Sequence, residues 1–335
     1  MFIPPLNKLP PPVSSPLEDA MTYTIPDLPY LRLRFTLRSE GEAALPPFKG
    51  SLLRGAFGHA LRRAVCAYGP GQECAACPLR RMCVYTRLFE TFIEEAPPPF
   101  LRGLDTAPRP YVFEPLTGAR DFAPGDPLAF DLLLFGQAVE LQAYVLLAVE
   151  RMAAAGLGSG RFPFVLDEAR ALDPAGVWQT LYRKGRATTR APLPPSPPPA
   201  GLEGDRAVLR FVTPTRLKVR SQLAETLRVR DLVFAMLRRT LEILHFHHPG
   251  AALDWNLRPL LDAASALQVT ATRLTWRDLT RYSNRQQRKT PLGGFTGTLA
   301  LEGDLPPFAR LLRTAEILHV GKGTTFGLGR LQIEG

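Results

Sequence analysis

Six prolines fall within the ten residues APLPPSPPPA, 191–200, and no other feature limits the fold of this chain so strongly. Proline has no backbone N–H to give a helix or a sheet ladder, and a run of prolines holds an extended, semi-rigid conformation. A continuous core is therefore interrupted there, and the 335 residues split into two parts of comparable size, each within the range of one domain. Prolines also recur over residues 1–28, which read as a loose or surface-hugging arm. The organisation expected is the arm, a first domain over 29–172, a connecting segment over 173–205 and a second domain over 206–335.

Hydrophobic periodicity gives both domains the same order of elements. In the first, YLRLRFTLR (30–38) alternates apolar and basic residues, the pattern of a half-buried strand with a basic outer face. GSLLRGAFGHALRRAV (50–65) sets Leu53, Phe57, Leu61 and Val65 on one helical face. YVFEP (111–115) and LAFDLLLF (128–135) read as strands, 137–155 as a helix ending at Gly156, and RFPFVLDEARAL (161–172) as a closing strand. In the second, AVLRFVTPTRL (207–217) predicts a strand and 230–246 a helix. ALQVTATRLTW (266–276) and GGFTGTLALEG (293–303) predict a strand pair, 306–318 a helix opened by proline, and TTFGLGRLQIE (324–334) a last strand. Strand, helix, strand, strand, helix, strand is the ferredoxin-like order. The expected class is α+β, with tandem ferredoxin-like (RRM-like) domains.

Charge narrows the partner. Lys and Arg number 41 against 31 Asp and Glu, a formal +10, which favours a polyanion, either nucleic acid or an anionic membrane surface. No apolar run reaches the ~18–20 residues of a membrane span, and the N-terminus lacks the pattern of a signal peptide. No membrane association and a cytoplasmic location are expected. The cysteines should then be reduced unless a metal holds them. All four, Cys66, Cys74, Cys77 and Cys83, lie within eighteen residues as C-x7-C-x2-C-x5-C. That concentration points to one tetrahedral thiolate site in an insert of the first domain. Structural zinc is the leading choice and an iron–sulfur cluster the second. Four unligated cysteines is the plainer alternative.

The segment HVGKGTTFGLGRL (319–331) carries Gly321, Gly323, Gly327 and Gly329 around Lys322. Glycines let main-chain N–H groups come close to a phosphate; the bland alternative is a tight connection between a helix and an edge strand. The spacing is not that of a P-loop. Two basic runs flank it, nine Lys or Arg over 206–239 and six over 273–289. Trp276 and Tyr282, within the second run, are placed to stack on a base.

The loop GKGTTFGLG resembles that of the CRISPR precursor-RNA-processing endoribonucleases, the sixth family of CRISPR-associated proteins, in the repeat-associated mysterious protein (RAMP) superfamily. FKGSLLRGAFGHALR (48–62) is similar to the first-helix region of those proteins, and RYSNRQ (281–286) with LGGFTG (292–297) to their basic segment and hairpin. The resemblance runs from about residue 30 to the C-terminus and implies tandem ferredoxin-like domains. It also implies cleavage within the repeat of a CRISPR transcript without a catalytic metal. The ribose 2′-hydroxyl attacks the adjacent phosphate, leaving a 2′,3′-cyclic phosphate and a 5′-hydroxyl. Implied partners are CRISPR repeat RNA or crRNA, and other Cas proteins of an effector complex.

Such a reaction needs a base, an acid and a positive group for the phosphorane. His59 stands where the family often places its histidine and lies off the apolar stripe; a solvent-facing or capping histidine is the alternative. Lys322 and Tyr282 are the other catalytic candidates. RNA contacts are expected from Arg54, Arg281, Arg285, Gln286 and Lys289, and from Lys322 with the four loop glycines. His245, His247 and His248 read as structural or phosphate-contacting, and His319 as packing beside the loop. A noncatalytic RAMP subunit that holds guide RNA is the second reading, because K-G-S-x-x-R-G also occurs there. A metal-bearing regulator of duplex DNA is a weaker third.

Overall fold

A computed structural model describes residues 25–335 except 70, 184, 188–194, 197–201, 203, 220, 221, 225 and 284–287. Among them no helix is long and apolar enough to cross a membrane. The proline run, but for Pro195 and Ser196, and residues 1–24 of the arm lie outside the described residues.

The first half runs β1 (Tyr30–Ser39), β2 (Ala43–Ala44), α1 (Gly50–Val65), α2 (Val84–Leu88), β3 (Tyr111–Pro115), β4 (Asp121–Phe122) and β5 (Pro127–Phe135). It continues with α3 (Gln142–Ala154), β6 (Phe164–Leu172), β7 (Trp178–Arg183) and β8 (Arg186–Ala187). Alternation in β1 does what the pattern requires. Leu31, Leu33, Phe35 and Leu37 are buried in one core with Leu53, Phe57 and Leu61 of α1. Each such side chain contributes ~1.5–3 kcal/mol. The sheet is antiparallel, in the order β3-β5-β1-β6-β7-β8.

The second half runs β9 (Arg206–Thr215), β10 (Lys218–Val219), β11 (Gln222–Leu223), α4 (Val229–His247), α5 (Arg258–Ala264), β12 (Gln268–Arg277) and β13 (Thr280–Ser283). It ends with β14 (Arg288–Pro291), β15 (Gly294–Glu302), α6 (Pro306–Leu318) and β16 (Leu331–Glu334). Its antiparallel sheet has the order β12-β15-β9-β16. Numbering the four main strands of each half by chain order, both sheets read 2-3-1-4. Edge strand β12 is exposed along nearly its whole length and continues into the β13–β14 ladder.

The halves share apolar contact: Val112, Leu133 and Phe135, on the outer face of the first sheet, are buried in the same cluster as the core of the second half. Ile25 and Leu28, at the end of the expected arm, are buried in that cluster too. Tyr30 and Ser196 exchange backbone hydrogen bonds, Ser196 N–H donating at 2.7 Å and Tyr30 N–H at 3.3 Å, so the linker touches down on β1.

Three expectations are corrected. The helix expected over 137–155 begins as a 3-10 turn, Gly136–Leu141, and is α-helical only from Gln142. Gly136 has φ +55°, and a Cβ there would strike the His247 carbonyl of α4. The last strand, expected from 324, starts at Leu331, because residues 324–326 form a 3-10 turn and Gly327 and Gly329 hold positive φ. The connecting segment is not all linker, since β7 and β8 extend the first sheet.

Candidate functional site

The glycine-rich loop of the second half is seated on the first half. It straddles edge strand β3, and its 3-10 turn Thr324–Phe326 packs against the start of α1. Two positions show why the chain uses glycine here. Gly50 opens α1 so close to the loop that a Cβ would meet the Phe326 carbonyl, and Gly327, at φ +87°, sits against the Phe113 carbonyl of β3. The glycines thus serve packing between the halves. Within the loop, the N–H groups of Val320, Lys322, Phe326, Gly327 and Gly329 donate to carbonyls of the protein. Lys322 is the exposed cation of the arc from Gly321 to Thr325.

Loop and sheet are fastened by buried charge. His319 is fully buried with φ +60°, a conformation rarely adopted by an L-residue. Its Nε2 donates to Glu114 Oε1 at 2.9 Å, and its Nδ1 lies 3.1 Å from the Leu328 carbonyl oxygen. Glu114, 1% exposed, also receives Arg32 at 2.7 Å and Arg330 at 3.4 Å. Burial alone would raise the Glu114 pKa, but the hydrogen bond and charge of His319, with Arg32 and Arg330, hold it well below the usual carboxylate range. Asp131 beside it takes Arg32 at 3.0 Å and both Nε and Nη2 of Arg34, at 2.7 and 2.9 Å. These two carboxylates, three arginines and His319 tie β1, β3 and β5 to the loop. The sequence reading missed the network. Its visible trace is one acid in each of two apolar strands, YVFEP and LAFDLLLF.

The candidate residues are placed unequally. Arg54 on α1 lies over the Phe89 ring (4.5 Å) and the Phe326 ring (5.4 Å), so it belongs to the loop's seat. Lys49, of the same motif, is fully buried, with Nζ donating to the carbonyls of Pro46 and Ala119, and is a structural cap. His59 is exposed, as its position off the stripe requires. Five residues beyond Arg54, it lies ~7.5 Å further along the helix and about 140° around it. The fold therefore brings Arg54 and the glycine loop together, and His59 lies about a turn and a half further along α1. His247 is buried and donates from Nε2 to the Pro108 carbonyl at 2.5 Å; burial pushes its pKa down to about 4. Buried and bonded, His247 and His319 are removed from proton transfer to a bound chain, which leaves His59, His245 and His248. Arg281, Tyr282 and Lys289 lie on the β13–β14 ladder. Arg285 and Gln286 lie outside the described residues.

The cysteine segment departs from the expected metal site. The Cys66 thiol donates to the Gly69 carbonyl at 3.3 Å. Burial, then its hydrogen bond with Glu90, pushes the Cys74 thiol up to about 11. Cys77 N–H donates to the Cys74 carbonyl at 3.2 Å, so the C-x2-C turn is formed. Yet among the described residues no three His, Cys, Asp or Glu gather as ligands. Cys66 and Cys74 each have a separate partner, and the tetrahedral set is not assembled.

Comparison with known proteins bears out the family resemblance. Residues 209–331 match the family model of the CRISPR-associated endoribonuclease Cas6, and residues 28–194 match the model AF_1859_N, described as an N-terminal domain. No curated protein matches the chain. A solved Cas6 product complex is similar in fold, with 18% identity over 91% of this chain and 99% of that one and a TM-score of 0.55. Thermus thermophilus Cas6 matches with 16% identity over 92% and 99%, TM-score 0.53. The chain also covers 47% of one in a partial Cas6–RT–Cas1–Cas2 complex, at 13% identity over 94% of its own length and TM-score 0.52.

Proposed function

Starting from a second half that matches the Cas6 endoribonuclease family, we propose that this chain cuts CRISPR precursor RNA within its repeats. The observation that carries the reading is the seat of the glycine loop. A loop matched to an RNA-cutting family is fixed by buried charge to β3 and packed beside α1, presenting Lys322 to solvent. Two ferredoxin-like domains, with boundaries at 29–172 and 206–335, are proposed to flank that seat. RNA lies across the loop and the exposed strand β12. There Arg273 and Arg277 meet phosphates, and Trp276, 45% exposed, offers a ring for a base. Association with other Cas proteins belongs to the same proposal, and the similarity to a Cas6–RT–Cas1–Cas2 complex supports it.

The chemistry proposed is attack by the ribose 2′-hydroxyl. His59, exposed and free of protein hydrogen bonds among the described residues, takes the hydroxyl proton; Lys322 stabilises the phosphorane, with Tyr282 on the β13–β14 ladder as a further candidate. Both roles belong to one scissile phosphate, so the reading requires bound RNA to draw His59 and Lys322 to the same group. A general base supplies ~10²–10⁴ in rate. His59→Ala is expected to bind repeat RNA nearly as well as the parent and to cut it at least 100-fold more slowly in single-turnover assays; a rate within a few-fold of the parent moves the base to His245 or His248. Zinc on Cys66, Cys74, Cys77 and Cys83 is proposed separately, as a structural ion. The formed Cys74–Cys77 turn supports it. It requires the Cys66 and Cys74 thiols to leave Gly69 and Glu90 and close on one ion.

A further inference from the structure

Away from the glycine loop, the cysteine segment and α2 face the C-terminal end of α4 across an open pocket of about 380 Å³. That volume lies within the range of small-molecule sites, ~300–1,000 Å³. No residue of the loop, of α1 or of the β12–β15 pair lines it. Three guanidinium groups do, against the two carboxylates of Glu94 and Glu95, which leaves the lining one positive charge in excess. Arg80 and Arg81 share one carboxylate, Glu94, at 2.8 and 3.1 Å, two positive charges on one negative. Among the described residues Arg87 pairs only with Glu140, at 3.9 Å, and that glutamate is 74% exposed. Phe92, with Arg80 over its ring, and Phe246 supply aromatic walls. His247 in the lining is neutral near pH 7 and adds no charge.

A row of rings leads away from the Phe246 wall. Phe246 meets His245 at 4.8 Å, His245 meets Trp255 at 5.9 Å, Trp255 meets Phe100 at 6.3 Å, and Phe100 meets Phe234 at 5.6 Å. None of the five is buried, and Phe234 is 37% exposed. Phe100 comes from the first half and the other four from the second, so the row exists only where the halves meet. A core would bury these rings, and a purely apolar partner would not call for three arginines at one end. Guanidinium groups beside exposed rings match unpaired nucleotides, whose phosphates take the cations and whose bases stack on the aromatics.

We propose that this pocket and ring row form a second RNA surface, which takes one unpaired nucleotide in the pocket and stacks its neighbours along the row. The phosphate sits on Arg87 and the Arg80–Arg81 pair, and the base lies between Phe92 and Phe246. RNA as the source of the nucleotide rests on the proposed function; the same chemistry would suit a free nucleoside monophosphate.

The test is fluorescence anisotropy with a labelled ten-nucleotide oligoadenylate, on the full chain and on Arg87→Gln and Phe234→Ala. Both residues are at the surface, and melting curves equal to the parent's establish that the variants fold. Each variant is expected to bind at least about fivefold more weakly, while cutting saturated repeat RNA within twofold of the parent. Binding within twofold of the parent in both variants overturns the proposal. AMP binding tighter than the oligoadenylate, and lost in Arg87→Gln, overturns the assignment to RNA. Oligoadenylate binding that depends on Arg87 and Phe234, in a parent that cuts no repeat RNA, upholds this surface and sinks the proposed function instead.

Discussion

Replacing Glu114 by alanine removes the carboxylate that holds the glycine loop to β3, and the structure sets the size of the loss. Glu114 is 1% exposed and receives His319, Arg32 and Arg330 at 2.9, 2.7 and 3.4 Å. Removing one partner of a buried ion pair costs ~3–5 kcal/mol. Relief is available to each partner. Arg32 keeps Asp131 at 3.0 Å, Arg330 is 26% exposed and can turn to water, and His319 keeps its contact with Leu328. The low end applies, about 3 kcal/mol at pH 7, or roughly 4 °C in Tm at ~2.1 cal/mol/K per residue. The pH dependence has a definite sign. Because the folded carboxyl is held below its unfolded value near ~4.3, its contribution is full above that pH and is lost as pH falls through the folded value. Urea melts of parent and Glu114→Ala at pH 7 and at about pH 3 read both. The gap should narrow in acid. A difference below ~1 kcal/mol at pH 7, against the ~3–5 of a working buried pair, or a gap unchanged in acid, refutes the reasoning.

Gly327→Ala drives a Cβ toward the Phe113 carbonyl from φ +87°. It should cost more than ~1 kcal/mol, seen as a lower Tm, and weaken repeat-RNA binding in a filter assay; parental values in both would place the loop off β3. Lys322→Ala should lower the slope of log affinity against log salt by about 1, because one phosphate contact is lost, and an unchanged slope takes Lys322 off the RNA. Elemental analysis should find about one zinc per chain, with Cys77→Ser less stable than the parent. Neither zinc nor iron, with four titratable thiols, removes the metal proposal.

What was legible in the sequence is what periodicity and local stops determine. β3 and α6 occur at the expected residues, α6 with its opening prolines, and α4 within one residue. What failed was decided by distant contacts. Gly136 turns because the α4 carbonyl of His247 lies against it, and the final strand is shortened by loop glycines packed on β3 and on Val320. The site divides the same way. The glycine loop and the exposure of His59 could be read from spacing, but not the fully buried His319–Glu114 pair, whose partners are 205 residues apart. At the cysteine cluster, close spacing in the chain forms the Cys74–Cys77 turn, while among the described residues no three ligands meet at one point.

The central claim, RNA cleavage by 2′-hydroxyl attack, is tested most directly with two repeat RNAs that differ only in the ribose at the cut. Both are incubated with excess protein in chelator, and the product ends are identified by mass spectrometry. The ribose substrate is expected to give a 2′,3′-cyclic phosphate and a 5′-hydroxyl, and the 2′-deoxyribose substrate to bind and stay whole. Cleavage of the deoxy substrate, or a 5′-phosphate on the product, contradicts it.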